Sequence, residues 1–292
     1  MISPDKFRNN ELTISDNSFQ SRVSENISIS DRAISEFERL KQSISNRGVN
    51  VHAISDDSEF DTPDAVFPNN WISFHHSNRA VLYPMSALNR RFERKSSALK
   101  KLSDQGIKID IIKDYSHFEK DDKYLEGTGS IVLDRYNKLA YCSLSRRSDY
   151  DLLNIFCSEM NYKPIVFNSV YQSKPIYHTN VMMSICNNFS IICLDSIEDK
   201  KQKNNIITNL KNSNLEIIDI EIDQMCSFMG NCIQLVDTNS NPLLVMSSRA
   251  YNAIKNSQLK IIEKHTDIIH SDITTIEDNG GGSARCMIAE IF

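Results

Sequence analysis

Amphipathic stretches of helical spacing alternate along this chain with short runs that read as strands. Ala33, Phe37, Leu40 and Ile44 share one helical face; Gly48 closes that helix, and Val49-Asn50-Val51-His52-Ala53-Ile54 then alternates. Leu88, Phe92, Leu99 and Leu102 form a second helical face, with Gly106 ahead of Ile107-Lys108-Ile109-Asp110-Ile111. Leu152, Leu153, Phe156 and Met160 precede a strand at Pro164-Ile165-Val166-Phe167, and Ile206, Ile207 and Leu210 precede one at Leu215-Glu216-Ile217-Ile218-Asp219-Ile220. Ala250, Tyr251 and Ile254 precede Leu259-Lys260-Ile261-Ile262, read as the fifth strand. The five strands recur at intervals of roughly 45 to 57 residues, the kind of period that marks a repeat or propeller architecture.

After each strand comes a polar loop and then a second, more apolar strand. The loops are Asp64 to Trp71, Leu125 to Gly129, Tyr177 to Asn180, Met229 to Cys232, and the C-terminal Asn279-Gly280-Gly281-Gly282-Ser283-Ala284-Arg285-Cys286-Met287. Five ββαβ-like units around an axis would bring all five loops to one centre. Only eight glycines are present; Gly48 and Gly106 sit where helix C-caps are expected, and the other six all lie in three of these loops. The prediction is an α/β fold of five repeats over residues 1–292, read as a single domain because no linker or shift in composition divides it. Residues 1 to about 30 are polar, with Phe19 and Gln20 as the only anchor-like pair, and read either as a lid or as an opening strand and loop.

Composition narrows the function classes. A net charge of −5 with no basic block argues against nucleic acid as a partner, and no run is long and apolar enough for a membrane span. No charged-then-apolar N-terminus resembles a secretion signal. Seven cysteines without CxxC spacing point to reduced thiols in a cytoplasmic protein, away from a disulfide framework or a zinc site.

The chemistry lies in the loops. Glycines leading into Cys286 allow close approach of main-chain N–H groups to a ligand and deliver a thiol for nucleophilic attack. Cys286 with His178 is the minimum set for covalent catalysis, and Glu126 can orient the imidazole. Asp64, several asparagines and at least one arginine join them if the loops converge. Each alone also has a bland reading: a buried structural thiol, a satisfied core histidine, a surface carboxylate. Arg285, beside the nucleophile, reads either as a contact to a substrate carboxylate or as a strand-end surface residue. Cys142, Cys157, Cys186, Cys193, Cys226 and Cys232 read as small apolar packing groups, and Trp71 as packing under the Asn70 loop.

These residues carry a family resemblance that runs from about Asp61 to Phe292. Asp64-Ala65-Val66-Phe67 resembles the D-x-V-F element of the dimethylarginine hydrolases, and Glu126-Gly127-Thr128-Gly129 their E-G-x-G element. His178 matches the family histidine, and Gly280 to Cys286 the glycine-rich approach to the nucleophile. The chain is identified as a member of the pentein superfamily of arginine deiminases, dimethylarginine hydrolases and amidinotransferases. Within it, PDAVFPNNW, LEGTGS, YHTNVM and GGGSARCM look most like the citrulline-utilisation hydrolases. The resemblance implies a five-bladed α/β propeller with a central site, no metal or organic cofactor, a small amino-acid substrate and a homodimer. Ser145 to Asp149 resembles the segment that holds a substrate α-carboxylate, with Arg147 at the matching place.

Where arginine-processing relatives carry an (R/E)-D pair and an H-x-D triplet, this chain reads Asn69-Asn70 and His178-Thr179-Asn180. A carboxylate only accepts hydrogen bonds, whereas a carboxamide also donates them. A guanidinium offers only donors and a charge; a neutral ureido group offers a carbonyl acceptor as well. The expectation is therefore hydrolysis of citrulline to ornithine, carbon dioxide and ammonia through a Cys286 thiocarbamate. Asp64 would hold the α-ammonium, Arg147 the α-carboxylate, and Asn70, Asn180 and Glu126 the ureido group. The alternative is a guanidine hydrolase or amidinotransferase acting on arginine or a methylated arginine, with Glu126 and Asp64 binding the guanidinium. From a different class comes a non-catalytic pentein, since one branch binds the ribosome without the Cys–His pair; Cys286, His178 and Glu126 argue against that here.

Overall fold

The protein is described by a computed structural model covering residues 1–14, 16–20, 29–57, 59–95 and 97–292. Residues 15 and 21–28, which belong to the lid-or-strand segment, lie outside the described residues. The long helix α1 (Ile29–Ser45) buries Ala33, Phe37, Leu40 and Ile44 on one face, as its spacing predicts. Gly48 follows at φ 83°, a left-handed conformation that only glycine adopts without steric cost.

Next comes a 3₁₀ turn at Pro68–Asn70, the hairpin β1 (Ile72–His75) and β2 (Arg79–Leu82), helix α2 (Ala98–Asp104) and strand β3 (Asp110–Asp114). The second unit repeats that order: α3 (Gly127–Ser130), β4 (Val132–Asp134), β5 (Leu139–Ser143), α4 (Tyr150–Met160) and β6 (Lys163–Phe167). A two-stranded excursion, β7 (Val170–Tyr171) and β8 (Lys174–Pro175), leads to the third: α5 (Thr179–Met182), β9 (Met183–Ile185), β10 (Phe189–Ile192), α6 (Lys200–Asn212) and β11 (Glu216–Asp219). The fourth runs through α7 (Ile222–Cys226), β12 (Ile233–Val236), β13 (Pro242–Ser247), α8 (Ser248–Asn252), α9 (Asn256–Glu263) and β14 (Asp267–Ser271), and α10 (Thr274–Gly280) precedes the C-terminal loop.

Each unit is one three-stranded sheet in which the hairpin is antiparallel and the strand after the helix pairs in parallel with the hairpin's second strand. A parallel pair cannot be joined by a tight turn, so the intervening helix is the crossover that this pairing requires. The middle strands β5, β10 and β13 are almost wholly buried, whereas the outer β3 is largely solvent-facing. Neighbouring units touch through their first strands, with β9 against both β4 and β12.

Three expectations need correction. Residues 259–262, read as a strand, belong to helix α9, where Gln258 and Ile262, four apart, face the core and the Gln258 side chain accepts from Lys255 N at 3.0 Å. Four residues fit a period of 2 and a period of 3.6 equally well, and the parallel strand of this unit is β14 instead. Residues 49–53 form no strand; only Ile54 pairs, in a single parallel bridge with Ile2 across α1. The stretch after Cys286 carries no strand either, so no fifth three-stranded sheet forms among the described residues. The third correction concerns the second predicted helix. A 3₁₀ segment, Asn89–Lys95, precedes α2; Leu88 is 62% exposed, and the residues buried in that segment include Arg90 and Glu93. An apolar-face argument cannot find a buried face that is charged.

Candidate active site

Two glycines let the second unit press against the first. Gly127 has φ 48°, and a Cβ there would collide with Asn69 O and lie 2.9 Å from Asn70 O; one at Gly129 would sit 2.8 Å from His178 Nδ1 and collide with Asn70 Nδ2. This packing sets Glu126 beside His178, whose Nε2 lies 2.8 Å from Glu126 Oε2. The other carboxylate oxygen accepts from Ser86 N at 2.9 Å, and Arg147 Nη1 is 3.6 Å from Oε2. Burial alone would push the Glu126 carboxyl up, but Arg147 and the His178 bond bring it down to about 2, so it is ionised. Burial lowers His178 in spite of Glu126, so its imidazole is neutral near pH 7. A neutral ring facing a carboxylate keeps its proton on Nε2, which leaves Nδ1 as the free base.

Cys286 follows α10, which is capped by Gly281 (φ 65°), and is 2% exposed. Its Sγ receives Asn231 Nδ2 at 3.2 Å and Asn180 Nδ2 at 3.4 Å. Asn231, which the sequence reading did not single out, also donates to Asn180 O at 2.9 Å; its place in the Met229–Cys232 loop was the available signal. Glu277 braces the loop, accepting from Ser283 Oγ at 2.6 Å, and burial pushes its carboxyl up to about 7.

The other predicted contacts fall into two groups. Asp64, Asn70 and Arg147 line one small cavity with His178, Tyr177, Gly282 and Cys286, so the thiol and the imidazole share a pocket. Asp64 is buried, which raises its carboxyl; Oδ2 accepts from Asn10 Nδ2 at 2.7 Å, and Oδ1 has no hydrogen-bond partner among the described residues. Asn69 Oδ1 accepts from Asn70 Nδ2 at 3.0 Å behind the cavity wall. Arg285 lies elsewhere. Its Nη1 bonds Ile288 O at 2.9 Å and lies 3.1 Å from Glu290 Oε2, and it lines a separate cavity of about 900 Å³ with Trp71, Arg135 and Phe292. Asn180 also lines that larger cavity, behind the sulfur.

One feature was not legible in the sequence, and one settles where the N-terminal segment lies. Arg90, 2% exposed, donates from Nη1 to Asn70 Oδ1 at 2.8 Å. The N-terminal segment lies across the pocket: Arg147 grips Asp16 with two bonds, Nε to Oδ2 at 3.1 Å and Nη2 to Oδ1, and donates to Thr13 O at 3.3 Å. Thr13 and Asn17 line the same cavity, and the space left is about 10 Å³, room for one water at most. The anchors expected of this segment hold it: Phe19 stacks on Tyr171 at 5.5 Å, and Gln20 Nε2 donates to Asn279 O at 2.8 Å. Among the described residues no group of three His, Cys, Asp or Glu is arranged to hold a metal, and no helix is long and apolar enough to cross a membrane.

The model of the family described as N,N dimethylarginine dimethylhydrolase, eukaryotic, matches residues 3–292. No curated protein matches the chain. Among solved structures, ArgZ, an arginine dihydrolase from the ornithine–ammonia cycle in cyanobacteria, superposes with a TM-score of 0.76 at 16% identity, covering 98% of this chain and 39% of that one. The present chain thus spans well under half of full-length ArgZ. The ArgZ N-terminal domain, as a cysteine-to-serine variant bound to substrate, covers 100% of this chain and 97% of its own, with a TM-score of 0.74 and 15% identity. A dimethylarginine dimethylaminohydrolase adduct with S-methyl-L-thiocitrulline aligns at a TM-score of 0.63 and 14% identity over 98% of this chain and 96% of its own. The chain belongs to the N,N dimethylarginine dimethylhydrolase family and thereby to the pentein superfamily.

Proposed function

With that membership as premise, we propose that the protein hydrolyses the ureido group of L-citrulline, giving L-ornithine, carbon dioxide and ammonia. Residues 1–292 would act as one catalytic unit, its four three-stranded units and the N- and C-terminal segments arranged as a propeller around the site. The observation that carries the reading is the set of carboxamides around the thiol: Asn180 and Asn231 donate to Cys286 Sγ, and Asn70 shares its cavity. A ureido carbonyl needs donors, its N–H groups need acceptors, and carboxamides supply both. The Asn180 and Asn231 N–H groups are turned to the sulfur, and their Oδ1 atoms are buried acceptors without a partner among the described residues, available to the ureido N–H groups.

The neutral His178 Nδ1 takes the thiol proton as Cys286 Sγ attacks the ureido carbon, forming the C–S bond and placing the carbonyl electron pair on oxygen. The resulting imidazolium, held by the ionised Glu126, returns the proton to the terminal nitrogen as the C–N bond breaks and ammonia leaves. Water, deprotonated by His178, then attacks the thiocarbamate; the C–S bond breaks, Cys286 regains its proton, and the carboxylated ornithine loses carbon dioxide. Arg147 would bind the substrate α-carboxylate in place of Asp16, and Asp64 Oδ1, buried without a partner among the described residues, would take the α-ammonium.

A second reading has its own support. ArgZ acts on arginine and the family is named for dimethylarginine, so a guanidine hydrolysis could come first, with Asp64 supplying the countercharge. Incubation of the purified protein with citrulline, arginine and dimethylarginine decides. Ornithine and ammonia from citrulline, lost in Cys286→Ser, are expected; release of citrulline from arginine with no turnover of citrulline would sink the ureido assignment.

A further inference from the structure

The second cavity, about 900 Å³, plays no part in the reaction proposed above. Each of the five loops nevertheless sends a residue to its lining: Trp71 next to Asn70, Thr128 two positions from Glu126, Asn180 two from His178, Cys232 next to Asn231, and Arg285 next to Cys286. Only a thin wall separates it from the sulfur. Asn180 lines the cavity and donates to Cys286 Sγ, and Arg285 N donates to Asn231 O at 3.3 Å. Much of the lining is apolar, Ile72, Phe74, Val132, Ile185 and Ile233 among it. Four more lining side chains, Tyr136, Val236, Ile291 and Phe292, are exposed, so the cavity opens to solvent through an apolar rim.

One part of the wall is charged. Glu290 is shared by two guanidinium groups, with Oε1 3.0 Å from Arg135 Nη2 and Oε2 3.1 Å from Arg285 Nη1. Two cations thus hold one carboxylate, and neither is sealed from water, their side chains being 19% and 12% exposed. The other carboxylates of the lining, Asp134 and Asp237, are capped within their own turns, by Asn137 N at 2.9 Å and Asn239 N at 2.8 Å. Two further lining side chains, Trp71 and Gln234, carry buried donors, Nε1 and Nε2, without a partner among the described residues. Asn180 Oδ1, the one lining acceptor in that condition, is the group assigned above to the substrate. A surplus of cations and donors set in an apolar wall suits a ligand with an anionic head and an apolar body.

We propose that the large cavity is a second ligand site, for an amphipathic organic carboxylate whose head binds at Arg135 and Arg285 and whose presence is felt at Cys286 through Asn180 and Arg285. The site goes beyond the ureido reading and does not depend on which amino acid the thiol attacks.

The test titrates the purified protein with three probes in a calorimeter: octanoate, 1-octanol and acetate. Octanoate should bind once per chain, at least about tenfold more tightly than 1-octanol, which has the chain without the charge, and acetate should not bind. Arg135→Gln should weaken octanoate by at least about tenfold and leave 1-octanol within about threefold of wild type. Ile185→Trp, which fills the apolar wall, should weaken both alcohol and acid. Arg147→Ala removes the cation of the small pocket, and octanoate should bind it as it binds wild type. Saturating octanoate should change the rate at which iodoacetamide alkylates Cys286, read by mass spectrometry, by at least about threefold. Equal affinity for 1-octanol and octanoate, or full octanoate affinity in a folded Arg135→Gln, overturns the carboxylate site. Loss of octanoate in Arg147→Ala puts the acid in the substrate pocket and overturns it too. Octanoate bound with no change in alkylation overturns the link to the thiol. None of these results touches the ureido reading, which fails separately if the parent enzyme converts arginine and leaves citrulline intact.

Discussion

Two buried arginines flank the cavity, and they are neutralised in opposite ways. Arg90 finds Glu93 three residues on in the same 3₁₀ segment, and both side chains are about 2% exposed or less. Arg147, 4% exposed, takes its partner from a segment 131 positions away: Asp16, whose side chain is 26% exposed. The first pair is wired within one short segment, sealed from water and coupled to Asn70. The second is a partly exposed carboxylate laid against the small cavity that Arg147 lines. An ion pair made by one rigid segment is part of the scaffold, whereas one made by a partly exposed loop is exchangeable, because water and a competing anion can reach it.

That contrast can be broken experimentally. The largest effect should come from Glu93→Ala, which strands a buried guanidinium and should cost about 3 to 5 kcal/mol. For a chain of this size that is a fall of roughly 5–15 °C in the unfolding midpoint. A shift below ~2 °C would show that the Arg90 pair is no more structural than the Arg147 pair.

Glu277 lies between the two regimes, with its carboxylate fully buried and Arg249 Nε at 3.2 Å on a side chain 31% exposed. Burial raises its carboxyl to about 7 from an ordinary value near 4.5. Between those values the folded state holds a proton that the unfolded chain releases, so this stability is fully present below about pH 4.5 and is lost as pH rises through 7. Glu277→Gln, which stays neutral, should gain about 2 to 3 kcal/mol relative to wild type between pH 5 and pH 8 in urea unfolding. A difference independent of pH would mean that the folded protein does not hold that proton.

The exchangeable pair should answer in kinetics instead. Arg147→Lys loses the two-pronged grip and should raise KM for citrulline tenfold to a hundredfold while kcat changes less. An effect confined to kcat would remove Arg147 from substrate binding. The smallest effect is expected of Asp16→Ala: KM lower by about threefold, with the unfolding midpoint within ~2 °C of wild type. If that variant unfolds as easily as Glu93→Ala, Asp16 is scaffold and the contrast between the two arginines disappears.

Much of this is readable in the residues alone. The alternation of helix and strand located three of the five expected strands, at β3, β6 and β11, since each buries one apolar face and the period of that face is written in the residues. Cys286, His178, Asp64, Asn70 and Arg147 stood out because loop composition is unusual where backbone must approach a ligand, and they line one pocket. The reading failed where local pattern was ambiguous, as at 259–262, or where the buried face was charged, as at Arg90 and Glu93. Arg285 was left open between a substrate contact and a strand-end residue; its neighbour in sequence is the thiol, but its side chain faces Ile288 O and Glu290.

The sequence by itself determined which segments bury and which side chains are equipped for thiol chemistry, because periodicity and residue type are local properties. The tertiary structure alone decided what each polar group faces: that Asn70 presents its nitrogen because a cation holds its oxygen, and that Arg147 is already gripped by Asp16. Hydrogen-bond direction depends on partners brought together across 20 positions in one case and 131 in the other, and no local pattern encodes them.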